Sequence, residues 1–252
     1  MPRAARRHST FNLYHVMIRG VSRQLLFEDH SDYGHFMKTL ERFKEQCAFN
    51  LYAFCLMDNH VHLLIKANQE SIGATLQRLE VSYSHYFNQK YQRCGHLFES
   101  RFKSEPVETL AYFLALLRYI HLNPVKAGLC RKPADYIFSS YRAYLKQNPT
   151  KIVDRNFVSE QFAGVEDFAS FHENADAENV PSTLGKHRNM FSDQEVLQRL
   201  KSLSGCQSMS ELQRLEKSRC MKSLRVLRQE KVSITQLARV TGISYNTIRR
   251  NT

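Results

Sequence analysis

Residues 51–67 read LYAFCLMDNHVHLLIKA, and the rest of the chain can be placed from them. Two apolar runs, 51–57 and 61–67, flank the pair Asp58-Asn59. Apolar, β-branched and aromatic residues on both sides of a short polar turn specify a β-hairpin. The second run opens with His60-Val61-His62. Side chains alternate along a strand, so His60 and His62 share one face and Val61 takes the other. Two imidazoles so placed can share a divalent metal ion. A bare His-x-His is more often a pair of ordinary histidines at a strand mouth, so the reading rests on its surroundings.

Upstream, FNLYHVMIR (11–19) alternates as a strand, with Phe11, Leu13, His15, Met17 and Arg19 on one face and Gly20 ending it. Residues 31–47 carry Phe36, Leu40 and Phe43 at helical spacing, and Ser31 or Asp32 can cap the start. Downstream, 72–91 is a second amphipathic helix with Ile72, Leu76, Leu79, Tyr83 and Phe87 as its stripe. RFKSEPV (101–107) is an edge strand with Pro106 near its end. Thr109 caps a third helix, expected to stop at Asn123-Pro124. Strand, helix, strand, strand, helix, strand is the ferredoxin-like order. The expected fold is therefore α+β, an antiparallel sheet with helices on one face and the third helix as an addition. Short helical pieces over 129–146 close this first domain, 1–146.

Residues 147–191 spread Pro149, Gly164, Pro181 and Gly185 among polar residues, a linker pattern with some helix. Residues 192–252 read as an all-helical unit. From Lys217 onward nine Lys or Arg stand against one acid, Glu230. Within it, SITQLARVTGISYNTIRR (233–250) has the helix-turn-helix form. Ser233 and Ser244 cap the two helices, Gly242 makes the turn and Ile248 faces the core. Tyr245, Asn246, Arg249 and Arg250 then face outward as in a recognition helix. A plain helical hairpin is the competing reading.

The chain has 252 residues and a formal net charge of +12, which suggests a polyanionic partner, most often nucleic acid. Arg3, Arg6 and Arg7 form a basic arm without an acid. Arg93, Arg101 and Lys103 interleave with Tyr86, Tyr91, Phe98 and Phe102, a mixture suited to stacking bases and meeting phosphates. The same rings are at home in a core. No apolar run approaches the roughly 18 residues of a membrane helix. The basic start leads into no signal-peptide core, so no export is expected. Six cysteines without a CxxC pair support neither a zinc knuckle nor a disulfide framework and fit a reducing cytosol.

On the third helix Tyr119 lies one turn before Asn123, so both project from one face. A phenol can attack as a covalent nucleophile, and an amide oxygen beside it can add a metal ligand. Two histidines and a tyrosine suggest phosphodiester transesterification, with the metal polarising and orienting the scissile phosphate. The ordinary phenol pKa is about 10, so a cation must help it lose its proton. Tyr112 and Tyr91 compete for the role, and His121 faces elsewhere, as a structural residue or a DNA contact.

Three segments together, NHVHLLI (59–65), GHLFESRFKS (95–104) and RYIHLNPVKAGL (118–129), resemble the single-tyrosine transposases of the His-hydrophobic-His group. The pattern is most similar to the branch called REP-associated tyrosine transposases and spans residues 11–146. The resemblance implies Mg²⁺- or Mn²⁺-dependent cleavage and joining of single-stranded DNA beside a hairpin in a repeated palindrome. It implies a 5′-phosphotyrosine intermediate, no nucleotide cofactor, a homodimer, and action on nucleoid DNA in the cytoplasm. By position His60 and His62 match the metal histidines and Tyr119 the nucleophile. Asn123 falls where relatives carry a further polar ligand, often glutamine. Two other classes stay open: a domesticated DNA-binding regulator without cleavage, and a metal-dependent RNA nuclease.

Overall fold

The computed structural model describes residues 7–99, 101–145, 151–173 and 191–252. Four strands, β1 (Leu13–Arg19), β2 (Asn50–Met57), β3 (His60–Lys66) and β4 (Lys103–Pro106), form one antiparallel sheet in the order β2-β3-β1-β4. With helices α1 (His30–Cys47) and α2 (Ile72–Lys90) between them, this is the expected ferredoxin-like α+β arrangement.

The hairpin turns on Asp58 and Asn59 alone, which pairs Met57 with His60 and Cys55 with His62. Val61, Leu63 and Ile65 are wholly buried on the opposite face. Burying each contributes about 1.5–3 kcal/mol. A one-residue slip would exchange the two faces, setting these apolar side chains under the third helix and the histidines against the main core, so the hydrophobic pattern keeps both imidazoles on one face.

That face is covered by a third helix, α3 (Leu110–Lys126), whose Tyr119 ring meets the rings of His15 and His62. The apolar stripes of α1 and α2, joined by contacts such as Phe36–Tyr83, cover the other face. Helices therefore lie on both faces once α3 is counted. The expected end of α3 at Asn123-Pro124 is corrected: the helix runs on to Lys126. Pro124 removes a single intrahelical bond, and the turn beyond it closes through Ala127 N–H to Asn123 O at 2.9 Å. The cap of α1 is also corrected. Asp29 accepts from the backbone of Ser31 and Asp32, while Asp32 turns back to the backbone N–H of Asp29.

The outer edge of β2 is sealed by residues 138–140, through Leu56 N–H to Phe138 O and Ser140 N–H to Phe54 O. The other outer strand is β4, four residues long and ending in Pro106.

Part of the expected linker belongs to the first core. Ile152, Val153, Val158 and Phe168 are buried in it, the last from α4 (Val165–Glu173). A separate core is built by α5 (Asp193–Ser204), α6 (Met209–Arg214), α7 (Lys217–Gln229), α8 (Ile234–Thr241) and α9 (Tyr245–Asn251). Leu25 enters this second core while its neighbours Leu26 and Phe27 enter the first. Among the described residues no helix is long and apolar enough to cross a membrane.

Candidate active site

The sheet face under α3 gathers polar side chains from three strands. β3 supplies His60 and His62, and β1 places Arg19 opposite His60 and Met17 opposite His62. β4 adds Lys103 opposite Met17 and Glu105 opposite His15. Tyr119 comes down from α3, its ring centre 5.5 Å from that of His62 and 6.0 Å from that of His15. The nucleophile candidate and both histidines of one chain thus converge. They are also covered: Tyr119 is 6%, His60 4%, His62 0% and Asn123 5% exposed.

Each histidine has one nitrogen engaged and one without a partner. His60 Nδ1 lies 2.6 Å from Asn59 Oδ1, and the Asn59 amide is oriented by donating to Arg23 O at 3.3 Å. An amide oxygen only accepts, so His60 carries its proton on Nδ1. His62 Nδ1 lies 2.9 Å from His15 Nε2. Nε2 of His60 and Nε2 of His62 are buried with no hydrogen-bond partner. Leaving a buried polar atom unpaired costs about 1–3 kcal/mol, and such atoms call for a ligand.

Burial, with the charges of Arg19 and Arg239, pushes His60 down to about 3. Burial and its imidazole neighbours push His62 well below its ordinary value. Both rings are therefore neutral near pH 7, the form that binds metal. This donor set fits a divalent ion. Among the described residues no three His, Cys, Asp or Glu side chains gather into a cage. Further ligands would come from Asn123, water or a substrate phosphate.

Asn123 Nδ2 donates to the backbone oxygen of Tyr119 at 2.9 Å, which fixes its side chain against the same turn. Burial raises the Tyr119 phenol, while a hydrogen bond from Asn123 and the charge of Arg19 draw it back down. Lys126 Nζ stands 5.3 Å from the centre of the Tyr119 ring.

Residues 9–123 match the family profile described as IS200-like transposase. The match covers somewhat less than half of the chain, and over these residues the chain is similar to that family. The fold is similar to a solved structure, that of a REP-associated tyrosine transposase bound to a REP hairpin. The TM-score is 0.52 at 15% identity, over 60% of this chain and 90% of that one. A candidate transposase from Deinococcus radiodurans R1 gives a TM-score of 0.35 at 19% identity, over 47% of this chain and 95% of that one. No curated protein matches the chain.

Within the matched region the two rival tyrosines are otherwise engaged. Tyr91 donates to Asp32 Oδ2 at 2.7 Å in the polar cluster at the start of α1. Tyr112 donates to Glu105 Oε2 at 3.1 Å, and burial with that carboxylate pushes its phenol up to about 12. His121 is wholly buried, bonded to His172 at 2.9 Å and Ser140 at 2.8 Å, and so ties α4 to α3.

The expected DNA contacts divide. Arg7, Arg101, Lys103, Tyr245, Asn246, Arg249 and Arg250 are exposed, and Ile248 is buried as expected. Arg3 and Arg6 lie outside the described residues. Arg93 turns inward, donating to Gln24 Oε1 at 3.0 Å beside the Phe87 ring. The stacking platform expected over 86–103 is corrected too, because Tyr91 and Phe102 are core rings and Tyr86 stacks on His35. His15, Arg19, Glu105 and Lys126 joined the site without being singled out from sequence. The available signal was that β1 carries His15 and Arg19 on one face.

Proposed function

We propose that the protein cleaves and rejoins single-stranded DNA beside a hairpin, with Tyr119 as nucleophile and Mg²⁺ or Mn²⁺ held by His60 and His62, with Asn123 as a further ligand. The observation that carries this reading is the convergence of the Tyr119 ring on His62, 5.5 Å away in the same chain, beside two unpartnered Nε2 atoms. Tyr119 Oη forms a bond to phosphorus, the P–O3′ bond breaks, and the 3′ oxygen leaves with a proton. The 5′-phosphotyrosine retains the energy for rejoining, so a 3′-OH can reverse the step. When bound, the metal ion polarises the scissile phosphate and orients it. Arg19, whose charge lowers the Tyr119 phenol, is the cation that would stabilise the phenolate as its proton departs.

The C-terminal helices fit the duplex beside the hairpin. α8 and α9 meet at Gly242 in a left-handed turn, and exposed Tyr245, Asn246, Arg249 and Arg250 lie on α9. A homodimer remains part of the proposal.

A DNA-binding regulator without cleavage is the second reading, favoured by the covered state of Tyr119 and both histidines. Incubation with a labelled DNA hairpin and Mn²⁺, followed by a denaturing gel, separates the two. The expected result is a covalent adduct that Tyr119→Phe abolishes and Tyr112→Phe keeps. An adduct that survives Tyr119→Phe sinks the assignment. Hairpin binding by wild type with no adduct in any metal establishes the regulator instead.

A further inference from the structure

We infer that His15 is a positioning residue for His62: with Glu105 behind it, it fixes the tautomer that presents Nε2 to a metal ion. The inference rests on reading His60 and His62 as ligands.

His15 and His62 come from adjacent strands and meet on the diagonal of the ladder. Their planes differ by 13° and their centres are 5.2 Å apart, with Nε2 of His15 2.9 Å from Nδ1 of His62. That separation is close to the length of the bond plus one ring radius on each side. The rings therefore lie edge to edge in nearly one plane, the alignment an N–H···N bond requires.

One proton occupies this contact, and a neutral imidazole has only one N–H. If His15 were the donor, His62 would carry its own proton on Nε2, a buried donor facing no acceptor. Glu105 favours the other arrangement. Its Oε2 lies 3.9 Å from His15 Nδ1, an electrostatic contact longer than a hydrogen bond, and attracts the His15 proton to that nitrogen. His15 Nε2 is then the acceptor, His62 Nδ1 the donor, and His62 Nε2 keeps its lone pair. Tyr112 steadies the carboxylate by donating to it at 3.1 Å. Asn59 does for His60 what this relay does for His62.

Losing such a supporting partner typically weakens metal binding 10–100-fold. The test measures Mn²⁺ affinity and, in metal-free protein, the His62 tautomer by nitrogen NMR. In wild type His62 is expected to be protonated on Nδ1. His15→Leu should bind Mn²⁺ about 10–100-fold more weakly and show mixed tautomers. His15→Gln, whose amide oxygen can accept from Nδ1–H, should recover most of the loss. Glu105→Gln, at a half-exposed edge position, should weaken binding several-fold and decides the matter if His15→Leu does not fold. Unchanged affinity and an unchanged tautomer in the folded variants overturn the inference. Mn²⁺ affinity that survives the pair His60→Ala/His62→Ala overturns the ligand reading instead, while the metal-free tautomer still judges His15 by itself.

Discussion

Glu28 is buried where the two cores meet, its Oε2 accepting from Met209 N–H at 2.9 Å. Burial raises its carboxyl from 4.5 to about 7. The folded form thus holds a proton that the unfolded chain gives up at lower pH. The stability tied to this group is complete below about 4.5 and is lost as pH rises through about 7. Glu28→Gln should raise stability at pH 8 by about 1–3 kcal/mol and change little at pH 5, as read by urea melts. An equal gain at both values would refute the account. His172 runs the other way, pushed down by burial to about 4, so it costs stability as pH falls from 6.5. At this scale the sequence was most readable where a single element sufficed. Strand alternation put His60 beside His62, and helical period put Tyr119 beside Asn123. His15 was placed on its strand but not in the site, because its partner depends on the register between strands distant in sequence.

The turn between α8 and α9 depends on Gly242, whose φ is 69°. A Cβ there would lie 2.6 Å from Gln213 Nε2 and 3.1 Å from Gln24 Oε1. Gly128 has φ 75° with nothing within 4 Å of the same position. Gly128→Ala should therefore cost only the left-handed strain, roughly 1–2 kcal/mol. Gly242→Ala should cost more by the contacts it crowds, and thermal melts of the two compare them. An equal loss would show that Gln24 and Gln213 yield freely. Both caps of this helical pair, Ser233 and Ser244, were legible because each accepts from a backbone N–H three residues on. The start of α1 was misread because Asp29, Ser31 and Asp32 are all competent caps, and Lys90 bonded to both acids selects the arrangement seen. The end of α3 was misread because local proline chemistry yielded to the burial of Leu122 and Asn123.

The two cores are joined at a three-residue divide. Leu25 goes to one and Leu26 with Phe27 to the other, while Gln194 reaches Asp58 at 3.5 Å beside the histidine turn. Leu25→Ala should cost about 2–4 kcal/mol and let the C-terminal helices melt first. Calorimetry showing one unshifted transition would sink that expectation. The division into a sheet part and a helical part was visible in composition. The packing of 151–173 on the first core was not, since its few apolar residues form no periodic run. The sheet's borders have a further consequence. One is already occupied by the chain's own backbone, and the other offers little length and finishes on a residue with no N–H to give. Among the described residues only the short β4 edge is thus left for a strand of another copy to pair with, which disfavours stacking into fibrils in concentrated protein.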